Sequence, residues 1–258
     1  MLERLRPLLA HPLDDDVAVW REGDGSYTVA TCDTFTAGHH FDLSWMPAED
    51  AGWRACALTL ADLAAKAARP THGLVSLVAP PDLDAAVVES LYRGLAECAA
   101  EYGLRLVGGD STAGAELAVT VFALGRAEVE PLPRSAARPG WVIGVTGPLG
   151  GEAAALAEHR PTRPRPRWWT QGGAAGDISD GLLRELAKFG VGAAIETAKV
   201  PVAAGATLEQ ALNGGEEVEL VVAAPERLEG LVAIGHITGD GRVTVDGEER
   251  GGGYDHFA

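Results

Sequence analysis

The sequence is short of the features that mark several familiar protein classes. It has three cysteines, Cys32, Cys56 and Cys98, odd in number and without C-x-x-C spacing, so neither a disulfide framework nor a structural zinc site is indicated. Reduced thiols in apolar surroundings are expected. Positive charge is scarce, with 21 Lys and Arg against 37 Asp and Glu and a formal net charge of −16. Without a concentrated basic stripe, nucleic-acid backbones are repelled. The only basic run, 159–167, reads as a solvated Pro/Arg-rich linker. The opening residues are broken by Glu3, Arg4 and Arg6 and are too short and charged for a secretory signal or a membrane span. A soluble cytoplasmic protein that binds neither nucleic acid nor membrane is the expectation. Also missing are a Walker A lysine motif, a G-x-G-x-x-G after a strand, internal repeats and helices long enough for a coiled coil. Ser111, Ser135 and Ser179 have no nucleophile-elbow context, so covalent serine catalysis is not expected.

The chain of 258 residues, 47% hydrophobic and 22% charged, can bury a sizeable core in one large or two moderate domains. Periodicity predicts strands at 17–20 and 27–32 around a Gly-rich turn, then a helix over 47–69 ending before Pro70. A buried strand over 73–79 and a helix from Asp82 to Tyr102, stopped by Gly103, follow. A strand at 104–107 runs into Gly108-Gly109-Asp110, and another covers 117–126. Pro and Arg accumulate over 131–140, which suggests a boundary between domains 1–137 and 138–258. The second half reads as strands near 141–146, 193–196, 218–223, 231–238 and 242–245, with helices near 151–158 and 181–189. The class is α/β, of the α+β type.

Aspartates recur where apolar runs meet glycine or small residues: Asp14-Asp15-Asp16, Asp33, Asp62, Asp110, Asp177 and Asp180. Mg²⁺ prefers hard oxygen ligands, keeps waters and bridges to substrate phosphates, a role that spread-out carboxylates suit. Taken singly, each has a bland explanation, since Asp favours caps and turns. Two stand apart. Asp62 interrupts an apolar helix, where an unpaired carboxylate is costly, so it needs a partner. Gly108-Gly109 lets backbone approach an anionic ligand beside the Asp110 carboxylate.

The ordered segments are Asp15-Asp16-Val17-Ala18, Thr31-Cys32-Asp33-Thr34, Ala37-Gly38-His39-His40-Phe41 and Asp62-Leu63-Ala64-Ala65, followed by Gly108-Gly109-Asp110-Ser111-Thr112. Next come Asp177-Ile178-Ser179-Asp180-Gly181-Leu182, Gly214-Gly215-Glu216-Glu217-Val218 and the terminal Gly253-Tyr254-Asp255-His256-Phe257. As a collinear set spanning nearly the whole chain, they resemble the signature of the thiamine-monophosphate kinase family. That family shares a superfamily with aminoimidazole-ribotide synthetase, selenophosphate synthetase and hydrogenase-maturation ATPases. The resemblance implies a two-domain aminoimidazole-ribotide synthetase-like fold. An amino-terminal mixed sheet with helices would bind ATP and metal and pair into a homodimer, and a carboxy-terminal α+β domain would complete the site.

Carried over by position, the resemblance implies Mg²⁺ contacts from Asp16, Thr31, Cys32, Asp33, Asp62, Asp110, Asp177 and Asp180. ATP contacts would come from Tyr92, Gly109, Asp110, Arg134 and Ser179, and thiamine monophosphate contacts from His40, Glu216 and Tyr254. The departures are Asp14 for glycine, Cys32 for threonine, Ala61 for serine, Lys66-Ala67 for Met-Gly, Glu217-Val218 for Asp-Tyr, and a shortened 147–176 segment. A binding protein without turnover and another ATP-using enzyme of the superfamily are therefore the competing readings. Against selenium chemistry, no cysteine lies in an amino-terminal glycine-rich loop.

Overall fold

The computed structural model describes residues 15–254. Asp14 and the Asp255-His256-Phe257 part of the terminal motif lie outside the described residues. The chain divides into two compact units, one formed by 17–131 with 152–170, the other by 15–16, 132–151 and 171–254. A single cut between 137 and 138 would part 152–170 from the helices it covers, because the Trp53 indole N–H donates to the Pro164 carbonyl at 2.8 Å.

The first unit holds a five-stranded sheet in the order β1-β2-β5-β3-β4. Its strands are β1 (Ala18–Arg21), β2 (Tyr27–Thr36), β3 (Arg69–Ala79), β4 (Arg105–Ala113) and β5 (Ala118–Ala127). Along β2 the side chains alternate, Val29, Thr31 and Phe35 buried and Cys32 and Thr34 exposed, so one face meets a core and the other is open. Helix α1 (Ala48–Ala65) contacts β2, β3 and β5, and α2 (Ala85–Tyr102) contacts α1 and β4. α1 is buried nearly all round, as its Ala- and Leu-rich sequence requires of an interior helix. It stops earlier than its composition suggests. Ala67 takes φ 52° and turns the chain, so Arg69 and Pro70 open β3, with Pro70 accommodated at a register irregularity. α2 starts at Asp84, whose carboxylate accepts from Ala86 N–H at 2.9 Å, and ends at Gly103 with φ 74°. The two helices approach closely at Gly52 and Gly94, where a Cβ would strike the carbonyls of Leu91 and Glu49. The Gly108-Gly109-Asp110 segment is not a loop but part of β4, paired in parallel with Leu74, Val75 and Ser76.

The second unit holds a seven-stranded sheet, β12-β11-β8-β10-β6-β9-β7. The strands are β6 (Val142–Val145), β7 (Ala174–Ile178), β8 (Ala193–Ile195), β9 (Glu217–Ala224), β10 (Val232–Ile237), β11 (Val243–Val245) and β12 (Glu248–Glu249). Helix α3 (Gly151–Ala157) carries the chain from one unit to the other, and α4 (Leu182–Lys188) and α5 (Leu208–Asn213) belong to this one. Ile143, Ile178, Leu182, Leu186, Val221 and Ile234 form its core. Strand β7 and helix α5 escape the periodicity reading. Ala174-Ala175-Gly176-Asp177-Ile178 has one β-branched residue, and α5 is too short to show a repeat.

Candidate active site

In the second unit, edge strand β7 delivers Asp177 into a turn made of Ser179, Asp180 and Gly181. Asp177 is 3% exposed, and the Ser179 hydroxyl donates to its Oδ1 at 3.3 Å. Two distant segments are tied to this turn through backbone. The Glu216 N–H donates to the Ser179 carbonyl at 2.8 Å, and the Tyr254 N–H donates to the Asp180 carbonyl at 2.9 Å. Glu216 takes φ 65°, a left-handed conformation held by its place between glycines and β9. Tyr254 is exposed. Asp16 and Asp177 each bring a carboxylate oxygen within 4.8 Å of the other. Thus Asp16, Asp177, Ser179, Asp180, Glu216 and Tyr254 meet in one region of one unit.

Arg134 also lies in this unit, opening a 3-10 turn (Arg134–Ala136), and it is 4% exposed. Its guanidinium holds Asp16 with both terminal nitrogens, Nη2 to Oδ1 at 2.9 Å and Nη1 to Oδ2, while Nη1 also donates to Glu185 Oε1. Its backbone N–H donates to Asp15 Oδ2 at 3.2 Å. Glu185, fully buried, lies with Oε2 at 2.8 Å from Lys188 Nζ, which in turn is 3.0 Å from Asp180 Oδ2 and 3.7 Å from Asp16 Oδ1. Burial alone would lower the pKa of Arg134 and of Lys188, but Glu185 and then Asp16 outweigh it, so both stay firmly cationic. Burial and then the neighbouring Asp16 carboxylate push the Glu185 carboxyl up, and Lys188 and Arg134 offset this only in part. Gly176 on β7 makes room, since a Cβ there would run into Glu185 Oε1.

In the first unit, Thr31 and Asp62 meet across β2 and α1. The Thr31 hydroxyl donates to Asp62 Oδ2, which supplies the partner that the 6% exposed Asp62 requires. Asp33 is two residues along β2 from Thr31 and on the same face by strand alternation. Cys32 does not join them. It is exposed, and alternation turns its thiol to the face opposite Thr31 and Asp33. Tyr92, Gly109 and Asp110 line one cavity of about 630 Å³ together with Val75, Leu106 and Ser111. His40 is half-buried beside Thr36, whose backbone N–H donates to its Nδ1 at 3.1 Å, so the exchangeable proton sits on Nε2.

The donor sets are all oxygen: hydroxyl and carboxylate at Thr31 and Asp62, paired carboxylates at Asp16 and Asp177. This chemistry fits a hard divalent cation such as Mg²⁺. Sequence reasoning did not single out Glu185 or Lys188. The available signal was Glu185 within Leu182-Leu183-Arg184-Glu185-Leu186, a carboxylate breaking an apolar stretch as Asp62 does.

The two α+β units each carry an oxygen-donor cluster of the kind a hard cation takes, Thr31 with Asp62 in one and Asp16 with Asp177 in the other. The family model described as AIR synthase related protein, N-terminal domain, matches residues 14–127. A thiamine-monophosphate kinase of Methanopyrus kandleri is 35% identical, with 87% of this chain and 82% of the relative covered. That of Escherichia coli (strain K12) is 34% identical, covering 95% and 91%. The solved structure of AaThiL complexed with AMPPCP and TMP superposes with a TM-score of 0.89 at 26% identity, covering 99% of this chain and 96% of that one. The chain belongs to the thiamine-monophosphate kinase family.

Proposed function

We infer that this protein phosphorylates thiamine monophosphate to thiamine diphosphate with ATP as donor. The observation that carries this reading is the convergence on one turn of Asp177, Ser179 and Asp180 with Glu216 and Tyr254, the residues expected at metal, nucleotide and acceptor. The similarity over nearly full length to a protein that binds AMPPCP, an ATP analogue, together with TMP supports it. Glu217 and Val218, whose departure from the family pattern favoured a binding protein without turnover, are both buried in β9. That departure therefore alters packing rather than the face presented by Glu216.

In the reaction, an oxygen of the thiamine phosphate bonds to the γ-phosphorus of ATP as the bond from that phosphorus to the β-bridging oxygen breaks, and ADP leaves. The phosphate monoester is already largely ionised near neutral pH, so a strong general base is dispensable. Positioning and charge neutralisation carry the catalysis. Asp16, Asp177 and Asp180 in one unit, and Thr31, Asp33, Asp62 and Asp110 in the other, are the residues that would hold Mg²⁺. When bound there, Mg²⁺ would supply neutralisation of phosphate charge. Tyr92, Gly109 and Asp110 line a cavity assigned to the nucleotide; Ser179, in the other unit, is also assigned to the nucleotide. Arg134, tied to Asp16 and Glu185, is assigned to the nucleotide. His40, Glu216 and Tyr254 are assigned to the thiamine phosphate.

The amino-terminal domain is assigned to nucleotide, metal and dimerisation, and the carboxy-terminal one to completing the site. A homodimer is supported by the open face of the first sheet and by edge strand β4, exposed along most of its length with Val107 59% exposed. Buried, unbridged Cys56 and Cys98 suit a reducing, cytoplasmic setting, and among the described residues no helix is long and apolar enough to cross a membrane. The test is incubation of purified protein with ATP, MgCl₂ and a panel of phosphoryl acceptors. Thiamine diphosphate formed only with thiamine monophosphate and Mg²⁺ is the expected result. Nucleotide binding with no product, or preference for another acceptor, would refute it.

A further inference from the structure

We propose that Glu185 is a positioning residue that keeps Asp16 available to metal, by holding Arg134 and Lys188 in place. The proposal rests on the reading of Asp16 as a metal-holding residue. Its basis is the sharing of one cation between two carboxylates. Arg134 Nη1 donates to both Asp16 Oδ2 and Glu185 Oε1, and Lys188 Nζ lies 2.8 Å from Glu185 Oε2 but 3.7 Å from Asp16 Oδ1. Glu185 is completely buried and the Arg134 side chain 4% exposed, so neither can exchange its partner for water. Asp16 is 27% exposed and can turn.

An arginine bound bidentately to a carboxylate competes with any metal for that carboxylate. With Glu185 present, Arg134 keeps a buried anion when Asp16 turns to a metal, and the guanidinium is never left as an uncompensated buried charge. Without Glu185, Asp16 is the principal charged partner left to Arg134, and metal must break that pair outright. Lys188 acts in the opposite sense, because part of its charge falls on Asp16 and Asp180 in the place a metal would take. Across Asp15, Asp16, Asp177, Asp180, Glu185, Arg134, Arg184 and Lys188 the formal charge is five negative and three positive, a net of two negative. The remaining deficit matches one divalent cation.

The test is titration of the whole protein with Mn²⁺ alone, free metal being read by electron paramagnetic resonance, with near-UV circular dichroism as the check on folding. Glu185→Gln is expected to weaken Mn²⁺ binding about 10-fold, the worth of one charge-assisted hydrogen bond. Glu185→Asp keeps the charge but pulls the carboxylate back by about 1.5 Å. It is expected to stay weak, whereas a role through charge alone would restore wild-type affinity. Lys188→Met, on a partly exposed side chain, is expected to tighten Mn²⁺ binding about threefold. It keeps the proposal testable if the Glu185 variants do not fold. Wild-type affinity in Glu185→Gln or Glu185→Asp, or unchanged or weaker binding in Lys188→Met, would overturn the proposal and leave the metal reading standing. Failure of the wild-type protein to bind Mn²⁺ would overturn both.

Discussion

Arg134 and Arg163 each gather three carboxylates, one in each unit, yet they work under opposite physical conditions. Arg134 is 4% exposed and faces Asp15, Asp16 and a fully buried Glu185. Arg163 is 31% exposed and reaches Asp50 at 2.5 Å, Glu97 at 2.7 Å and Glu49 at 2.9 Å, with its guanidinium 5.4 Å from the Trp53 ring centre. The first cluster centres on a buried guanidinium and a fully buried carboxylate, so those two charges depend on each other. The second is wetted, so water can replace any partner. Arg163 belongs to the basic run expected to be a solvated linker. Instead 159–170 is a strap along α1 and α2, with Arg165 over Trp53 at 4.9 Å, Trp168 stacked on Tyr102, and the Trp169 N–H donating to the Ala64 carbonyl. Arg163 and Arg165 pair with carboxylates of α1 and α2. Similar ion counts therefore mean different things, a clasp in one unit and a tuned site in the other.

The sharpest way to break this comparison is to remove each arginine. Arg134→Met is expected to destabilise the protein by about 3–5 kcal/mol in urea unfolding, because it strands the fully buried Glu185 carboxylate. A loss no larger than that of Arg163→Met would sink the distinction. On the catalytic side, Asp33→Asn or Asp110→Asn is expected to lower Mg²⁺-dependent turnover about 10²–10³-fold, with the circular dichroism spectrum unchanged. Near-normal turnover in either variant would refute its metal role.

Arg163→Met should leave turnover unaltered and cost about 1 kcal/mol, less at high salt, as screened pairs do. A salt-independent loss would mean the strap is drier than its exposure implies. The smallest effect concerns Tyr102 under the strap, whose pKa is pushed up to about 12 by burial and then by Glu101. Its ordinary value is about 10, so the stability contributed by the neutral ring is complete below pH ~10 and is lost as pH rises through ~12. Absorbance titration at alkaline pH should show one late-ionising tyrosine, missing in Tyr102→Phe. Its persistence in that variant would assign the shift elsewhere.

Much of this was legible in the sequence because it is local. The Gly103 stop, the strand begun at Tyr27 and the need of Asp62 for a partner follow from composition, spacing and burial cost, which neighbouring residues set. The collinear motifs named the candidate residues. What stayed hidden depends on residues far apart in the chain. β7 is a strand because β9 offers it a partner, not because Ala-Ala-Gly-Asp prefers one. Gly108-Gly109-Asp110 is β4 because β3 pairs with it. Cys32 is separated from Thr31 and Asp33 by the pleat, which a list of adjacent residues does not convey. Charge partners are the extreme case. Sequence gives the number of charges, but only the folded chain decides that Arg134 is buried against Glu185 while Arg163 meets its carboxylates nearer the surface. The energy of an ion pair is set by its dielectric surroundings, and those exist only after folding.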